Sequence, residues 1–499
     1  MKNKILLTLP LLAFASEQIQ AREDEKPNIM FIFADDMSIN GLGCINDEVI
    51  TPNLDALRKE GAFFSHTFNQ GAWNGAISVA SRSMLITGKY LWTACSYNNS
   101  NKNFKNNGEW PAGVIPYAEE RAQAGKHWSE YMKEAGYTTY FTGKWHIGTR
   151  RPEQIFDHVV NMRPGGMPDQ VQSRYRRTFM ENEPDTWFPY DTTNGGYWKG
   201  GKHWSEVLAD DAISFIEMAE KDENPFFMYL AFNAPHDPRQ SPKEYVDMYP
   251  LENISVPESF LQQYPYADRI GTGRRMRDEL LAPYPRTEYA VKKNRQEYFA
   301  LITHLDAQIG KIIKALKESG EWENTYIIFT ADNGLAVGDH GFMGKQNMYD
   351  SSMRVPMIMV GPGIKEGLTV DKFVYLQDAM ATAMALAGSE HLDKVDFQSV
   401  LPLAQGKKMK TRDAVYGGYL GMQRMVRTDK YKMIIYPTIN IVRLYDLVND
   451  PNEVVDLAGD EKYRKVMDKL LVKLEKLQKE VKDPLTIRPY YDNFFNNLK

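Results

Sequence analysis

Cysteine is nearly absent from this chain of 499 residues, which contains only Cys44 and Cys95. Two cysteines cannot form the framework of several disulfides that stabilises small secreted proteins, and the same count excludes a metal site built from thiolates. A chain of this length buries enough apolar surface to be stable without such links.

Positive charge is not in excess, because 60 Lys and Arg face 65 Asp and Glu, for a formal net charge of -5. A basic surplus of the kind that indicates nucleic-acid binding is therefore missing. Beyond the N-terminus, no stretch is long and apolar enough to cross a bilayer. We expect no nucleic-acid partner and no stable membrane insertion.

The N-terminus has the pattern of a secretory signal peptide. Lys2 and Lys4 precede an apolar run at residues 5–15, and Ala15 and Ala21 are candidate cleavage points. The run is too short to span a membrane, and no cysteine follows it for lipid attachment. We assign residues 1–21 to a signal peptide and expect a bacterial protein that is periplasmic or secreted.

Several short apolar runs, each ending at a polar cluster, indicate the fold class. They occupy residues 28–33, 138–141, 226–232 and 326–330. Near-continuous apolar strands between helical segments predict an α/β fold, a large and mostly parallel sheet covered by helices on both faces. Ligands bind at the carboxyl ends of the strands in such sheets, so the polar clusters should meet at one edge.

The pattern changes after an apolar helix at 379–387. Short predicted strands follow at residues 414–416, 422–427, 431–435 and 443–447, and an amphipathic helix follows at 462–481. We therefore predict a large α/β domain at 26–405 and an α+β subdomain at 406–499. The subdomain should carry a short antiparallel sheet and a terminal helix.

Two of the polar clusters offer only oxygen ligands. Asp35 and Asp36 follow the first run, and Asp332 and Asn333 follow the last. Oxygen donors suit Ca²⁺ or Mg²⁺ and not a metal that prefers thiolates. Asp35 and Asp36 taken alone could equally cap the next helix, but the second pair favours a metal site.

The other clusters carry cations and imidazoles. Lys144 and His146 lie in Gly-Lys-Trp-His after the second run, and His236 closes Ala-Pro-His after the third. A lysine is usually a solvated surface charge, and a single histidine is more often structural. Their positions at predicted strand ends favour a functional role.

Residues 78–88, Ser-Val-Ala-Ser-Arg-Ser-Met-Leu-Ile-Thr-Gly, form the most informative stretch. They resemble the signature of type I sulfatases in the alkaline phosphatase superfamily: Cys or Ser, any residue, Pro or Ala, Ser, Arg, three residues, an aliphatic residue, Thr and Gly. Departures from the commonest form are Ser78, Ala80 and Ile86. The motif alone is weak, because Ser-rich turns often serve as plain helix N-caps.

The resemblance extends through the chain in the family's order. The glycine-rich segment 338–345, which ends at Lys345, and the closing segment 444–453 both match. Serine at position 78 is similar to the bacterial type that an anaerobic radical maturase oxidises to formylglycine. An unmodified serine would be left sulfated, whereas the hydrate of an aldehyde has a second hydroxyl that expels sulfate.

The resemblance also implies a role for each site residue. One divalent cation, usually Ca²⁺, would be bound by Asp35, Asp36, Asp332, Asn333 and the modified Ser78. Arg82, one helical turn after Ser78, would stabilise the ionised diol. Lys144 and Lys345 would hold the sulfate, His236 would protonate the leaving oxygen and His146 would act as base.

Two long segments with little periodicity, 147–202 and 237–296, should form loops around the site. We assign Trp187 and Trp198 to substrate binding, since aromatic rings stack on sugars. His340 is assigned equally to a structural or a substrate-side role. Loops over the sheet edge tend to wall a pocket, which predicts exo action on a terminal sulfated sugar.

The expected substrate is a sulfated carbohydrate, such as a mucin-type glycan, a glycosaminoglycan or an algal polysaccharide fragment. Two alternatives remain. One is a metal-dependent phosphatase or phosphodiesterase of the same superfamily, which usually has a second metal and an unmodified nucleophile. The other is a sulfated-glycan binding protein in which Ser78 stays unmodified.

Overall fold

The computed structural model describes residues 26–95, 126–148, 150–166, 175, 177 and 179–498. The signal peptide predicted at 1–21 lies outside the described residues. The strands are β1 Asn28–Ala34, β2 Ala62–Phe64, β3 Thr67–Phe68, β4 Gly71–Ala72, β5 Thr138–Lys144, β6 His158–Arg163, β7 Phe226–Ala231, β8 Thr325–Ala331, β9 Arg354–Val355, β10 Met357–Val360, β11 Leu368–Val370, β12 Val374–Tyr375, β13 Val415–Tyr419, β14 Gln423–Arg427, β15 Tyr431–Tyr436 and β16 Ile441–Asp446.

The α-helices lie between these strands up to residue 404, and two further helices follow the last strand. They are α1 Pro52–Glu60, α2 Ile77–Thr87, α3 Leu91–Cys95, α4 Trp128–Glu134, α5 Trp204–Ala219, α6 Lys243–Asp247, α7 Glu288–Ser319, α8 Asp350–Met353, α9 Asp378–Leu386, α10 Leu401–Ala404, α11 Arg464–Glu480 and α12 Arg488–Leu498. Within the described ranges, none of them is long and apolar enough to span a membrane.

An eight-stranded sheet has the order β11-β2-β10-β8-β1-β7-β5-β6. The pairs from β8 through β6 are parallel, and β10 pairs antiparallel with both β8 and β2. All seven residues of β1 and all seven of β8 are buried, as expected for strands covered on both faces. The predicted α/β fold class is confirmed, and the four predicted strands are neighbours in this sheet.

Helices cover the sheet in two groups. Helix α7 packs against α1 and α5, while α2, α4 and α9 contact one another. In the second group, Trp128 of α4 lies edge-on to Phe31 of β1 and Tyr229 of β7. Each aromatic side chain of this kind removes a large apolar area from water, and such pairs add about 0.5–1.5 kcal/mol beyond burial.

The C-terminal sheet contains a strand from the first part of the chain. Its order is β16-β15-β14-β13-β4, with antiparallel pairing except between β13 and β4. Gly71 of β4 has φ +89, and a Cβ there would lie 2.0 Å from the Gly418 carbonyl oxygen. Only glycine permits this close approach of the two backbones. Through this pairing, β4, which lies just before Ser78 in the chain, becomes part of the C-terminal sheet.

The predicted C-terminal strands and the helix α11 are present, and α12 follows as a second terminal helix. Both helices pack on the five-stranded sheet. The boundary at residues 405 and 406 stays a prediction.

Candidate active site

The four predicted oxygen ligands meet at the carboxyl ends of β1 and β8. These strands pair in parallel with Ala34 opposite Ala331, so the next residues of each strand emerge side by side. The backbone N–H of Asp36 donates to Asp332 Oδ1 at 3.0 Å. Carboxylate oxygens of Asp35, Asp36 and Asp332 all lie within 4.8 Å of one another.

This cluster has the donor chemistry of a divalent-cation site. Burial and the neighbouring Asp332 carboxylate raise the pKa of Asp35 to about 8. Asn333 donates through Nδ2 to Asp36 Oδ1 at 2.8 Å, which leaves its side-chain carbonyl oxygen directed at Ser78 Oγ, 3.4 Å away. Buried carboxylates this close favour cations between them, and the oxygen donors fit Ca²⁺ or Mg²⁺.

Ser78 lies in the first turn of α2, where the helix begins at Ile77. Its Oγ is 3.3 Å from Asp35 Oδ1, and the side chain is buried. The loop before it is held by Asn74, whose Oδ1 accepts the Ala76 N–H at 2.9 Å. A helix N-terminus favours negative charge, so an oxygen at position 78 would be stabilised as it ionises.

Arg82 lies one turn further along α2 and joins the helix to two strands. Its Nε donates to Asp332 Oδ2 at 3.0 Å, and its Nη1 donates to the Lys144 carbonyl at 2.9 Å. The guanidinium also lies 4.7 Å from the centre of the Phe33 ring. Burial would raise the pKa of Asp332, but Arg82 and the nearby lysines hold it well below its usual range.

The two lysines contact the carboxylates. Lys144 pairs with Asp35, and Lys345 Nζ lies 2.5 and 2.6 Å from the two carboxylate oxygens of Asp36. Pairing of β5 with β6 shifts register between Thr142 and Gly143, immediately before Lys144. The extra residue is Asn161 of β6, so the bulge bends β6, while β5 keeps an unbroken pairing with β7 up to Gly143 and presents Lys144 at its end.

His236 also reaches this cluster. Its Nδ1 donates to the Asp237 carbonyl at 2.6 Å, so in the neutral ring Nε2 is the unprotonated atom. Nε2 lies 3.7 Å from Asp36 Oδ2 and 3.4 Å from Arg277 Nη2. Burial lowers the pKa of His236 to about 4.

His146 follows β5 with a left-handed backbone, φ +58. Burial and the neighbouring Lys144 lower its pKa well below the ordinary value. Its Nδ1 is buried and has no hydrogen-bond partner among the described residues. A neutral imidazole with a free nitrogen next to Lys144 has the chemistry of a base.

The tryptophans assigned to substrate binding are buried, Trp187 to 2% and Trp198 to 8% exposure. Trp187 lies edge-on to Tyr175, and Trp198 Nε1 donates to the Pro189 carbonyl at 3.0 Å. These are the contacts of core side chains, and neither ring presents a free face for a sugar. Their assignment to substrate binding stays a prediction without support from this geometry.

His340 lies in a cluster of tyrosines. Its ring stacks on Tyr349 with centroids 3.6 Å apart, and its backbone N–H donates to the Ser259 carbonyl. Burial lowers its pKa to about 3. Of the two roles predicted for His340, the geometry favours the structural one.

Four further side chains support the site, and three of them, Arg277, Asp278 and Gln346, have no signal that marks them in the sequence. Arg277 pairs with Asp237 and Asp278, which links the loop at 237–296 to His236. Gln346 donates to the Gly75 carbonyl and to Asp278, and its Oε1 accepts the Lys345 N–H at 3.1 Å. Only Asp237 could have been suspected, since it follows His236 directly.

A buried serine beside a carboxylate cluster, at the carboxyl edge of a parallel sheet, is an arrangement that suits a hydrolase. The sulfatase family model matches residues 27–389, and a model for N-sulphoglucosamine sulphohydrolase, C-terminal, matches 338–480. The chain therefore belongs to the sulfatase family, the type I sulfatases of the alkaline phosphatase superfamily, which hydrolyse sulfuric esters.

Relatives and solved structures resemble the chain over most of its length. An arylsulfatase of Clostridium perfringens is 27% identical over 483 residues, covering 90% of this chain and 94% of that protein. An N-acetylglucosamine-6-O-sulfatase of Bacteroides thetaiotaomicron is 24% identical over 556 residues, covering 96% and 91%. A structure solved with its substrate D-glucosamine-2-N,6-O-disulfate has a TM-score of 0.69 and 22% identity, covering 92% and 99%. This structural likeness shows the fold.

Proposed function

We propose that this sulfatase hydrolyses sulfate esters of a carbohydrate through a formylglycine hydrate at position 78 and one divalent cation. The placement of Ser78 carries the proposal. Its Oγ is 3.3 and 3.4 Å from two candidate metal ligands, Asp35 and Asn333, and it stands one helical turn before Arg82. The motif at 78–88 and the buried cations around it match a site for an anionic ester.

Asp35, Asp36, Asp332 and Asn333 would hold the cation, with Ca²⁺ or Mg²⁺ as the fitting ions. When bound, the cation supplies Lewis-acid polarisation of a sulfate oxygen and of the oxygen at position 78. The buried carboxylates keep their mutual geometry through Asn333 and Arg82.

The other residues bind the sulfate and move protons. Lys144 and Lys345 hold the sulfate oxygens. Their ammonium groups lie at the carboxylate cluster, which is where the sulfate must bind to reach position 78. One hydroxyl at position 78 gives its proton to Asp35, which lies 3.3 Å from Ser78 Oγ, and its oxygen bonds to sulfur. The bond from sulfur to the sugar oxygen breaks, and His236 protonates that oxygen through Nε2. The negative sulfate next to His236 favours the protonated imidazole, which counters the effect of burial on its pKa.

His146 acts in the second half of the reaction. It takes the proton from the remaining hydroxyl at position 78, the carbonyl of formylglycine re-forms, and sulfate leaves. Water then restores the hydrate. Burial and the neighbouring Lys144 lower the pKa of His146 and so favour its neutral form, as a base requires.

The substrate class is argued from the relatives and from the depth of the site. The relative of Bacteroides thetaiotaomicron is an N-acetylglucosamine-6-O-sulfatase, and two of Formosa agariphila are ulvan-active sulfatases. Ser78 and His236 are only 1% and 3% exposed, so a sulfate must enter deeply to reach them. A sugar at a chain end enters such a site more readily than the middle of a polymer, which supports exo action.

Export to the periplasm or the medium is part of the proposal and rests on the signal-peptide pattern at residues 1–21. A polymeric sulfated glycan is met outside the cytoplasm, so export and substrate class agree.

The test is the mass of the tryptic peptide that spans residues 60–82 and contains Ser78. Protein made with the radical maturase should show loss of two hydrogens at Ser78 and should release sulfate from a sulfated monosaccharide. Ser78→Ala should be inactive, while Ser83→Ala, on the same helix, should stay active. Full activity with an unmodified serine would contradict the mechanism, and preferred hydrolysis of the matching phosphate ester would favour the phosphatase alternative.

A further inference from the structure

The chain that leaves β6 crosses the two loops that carry the catalytic histidines. We call residues 163–165, Arg-Pro-Gly, the strap. The Trp145 N–H donates to the Arg163 carbonyl at 3.2 Å, just before His146. Asn233 Nδ2 lies 3.5 Å from the Pro164 carbonyl, and the Asn233 carbonyl accepts the N–H of His236. The strap is thus fixed at both histidine loops.

Gly165 at the end of the strap lies directly against the imidazole of His146. A Cβ built on Gly165 would stand 1.9 Å from both Cγ and Cδ2 of His146 and 2.3 Å from Nδ1. These distances are far inside van der Waals contact, so the ring occupies the space that any side chain at 165 would need. The clash involves Cγ, the ring atom nearest the backbone, and a simple rotation of a flexible tip cannot relieve it.

The backbone of Gly165 does not itself require glycine. Its φ lies outside the left-handed region, whereas the next residue, Gly166, has φ +76 and, within the part of the chain that the structure describes, no heavy atom within 4 Å of its Cβ position. Substitution of these two neighbouring glycines therefore separates the effect of contact with the His146 ring from the effect of backbone strain. Alanine at 165 would meet the His146 ring with an unstrained backbone, and alanine at 166 would strain the backbone and meet none of the described residues within 4 Å.

We propose that Gly165 is a positioning residue for His146: the bare backbone of the strap forms the surface on which the imidazole rests and fixes its direction. His146 has a left-handed backbone and a buried Nδ1 without a described partner, so hydrogen bonds at that nitrogen do not orient the ring. Packing on Gly165 supplies that orientation. The inference rests on the proposed role of His146 as the base.

The first test observes the ring itself and does not depend on turnover. In protein with isotope-labelled histidine, His146→Ala identifies the imidazole resonances of His146 by difference. Gly165→Ala should shift those resonances and leave the other histidines near their wild-type positions. Gly166→Ala should leave the His146 resonances unchanged. Unchanged resonances in Gly165→Ala, in a folded protein, would overturn the proposal.

The second test uses 4-nitrophenyl sulfate as the probe. A displacement of about 1 Å at a catalytic group costs on the order of 10²-fold in rate, so Gly165→Ala should lose activity on that scale. Gly166→Ala should stay close to wild type. The double variant Gly165→Ala/His146→Ala should be no slower than His146→Ala alone, because the glycine acts only through that ring.

The outcomes separate the positioning role of Gly165 from the proposed role of His146 as the base. If Gly165→Ala slows the His146→Ala protein by the same factor as wild type, the strap acts elsewhere and the positioning role is wrong. If wild type releases sulfate but His146→Ala retains full rate, the assigned role of His146 fails, whatever the resonances show.

Discussion

Arg82 Nε donates to Asp332 Oδ2 at 3.0 Å, although 250 residues separate the two in sequence. Both side chains are fully buried. The bond ties the helix that presents Ser78 to the end of β8, so Ser78 and the proposed metal ligands are held in one arrangement. A buried ion pair of this kind has little tolerance for a changed partner, because the remaining charge would be left uncompensated.

Replacing Arg82 by Lys should therefore reduce kcat/KM by about 10²–10³-fold, the cost of removing one charge-stabilising donor. Lysine keeps the charge but cannot contact Asp332 and the Lys144 carbonyl together. Steady-state kinetics on an aryl sulfate measures the loss. Arg424→Lys is the matched control, since Arg424 is equally buried and pairs with Asp483 in the C-terminal subdomain. It should lose stability and keep its activity; equal losses would mean that Arg82 acts only on folding.

Chelation should lower the melting temperature together with activity, and added Ca²⁺ should restore both. A ligand at 100 times its Kd stabilises the folded state by about 2.7 kcal/mol. Asp332→Asn should abolish this response, because it removes a carboxylate from the cluster. Asp306→Asn, on α7 and outside the cluster, should respond to Ca²⁺ as wild type does. A Ca²⁺ response that survives Asp332→Asn would place the ion elsewhere.

Asp306 should give the protein a distinct pH dependence of stability. It accepts the N–H of Leu54 at 2.8 Å and that of Asn53 at 3.1 Å, and burial raises its pKa to about 6. Between pH of about 4 and about 6 the folded state keeps a proton that the unfolded state, with a pKa near 3.9, has lost. Stability from this group is therefore greatest below that window and falls as pH rises through it, by about 3 kcal/mol.

Urea unfolding of wild type and Asp306→Asn at several pH values tests this sign. The asparagine variant lacks the titration, so its stability relative to wild type should rise between about pH 4 and 6 and then stay constant. The exposed Asp247→Asn serves as the control and should run parallel to wild type. A constant difference between Asp306→Asn and wild type would show that the carboxyl titrates normally.

Trp187→Ala should act on stability rather than on sugar recognition. Truncation of a buried Trp typically costs about 3–5 kcal/mol, and this ring is packed against Tyr175. We expect equal fractional losses of kcat/KM on a sulfated sugar and on an aryl sulfate, with a lower unfolding midpoint. A loss confined to the sugar substrate would instead support the stacking role that the sequence predicted.

The large sheet could be predicted because strands buried on both faces are almost continuously apolar. That pattern located β1, β5, β7 and β8 and, through their ends, the polar clusters. Strands of two residues, such as β3 and β9, are too short to show any periodicity. Helix α7 begins at Glu288, inside a segment expected to be a loop, because its first turns are rich in charged side chains.

The site residues could be predicted where a polar side chain follows an apolar strand or belongs to a family motif. Gly165 and Arg277 carry no such mark, since their roles arise from contacts with residues distant in sequence. The sequence predicts Trp187 at the substrate, because aromatic content is the same whether a ring lines a sugar site or fills a core. Only its burial distinguishes the two.

The pairing of β4 with β13 sets the order of events during synthesis. Strand β4 lies just before Ser78, and Gly71 of β4 pairs with Gly418, so the ribosome must add 418 − 78 = 340 residues after Ser78 before the pair can begin to form. At about 5–20 residues per second, that takes on the order of tens of seconds. During this interval Ser78 belongs to an unfinished chain, so the oxidation that we propose at this position can precede the fold that buries the side chain.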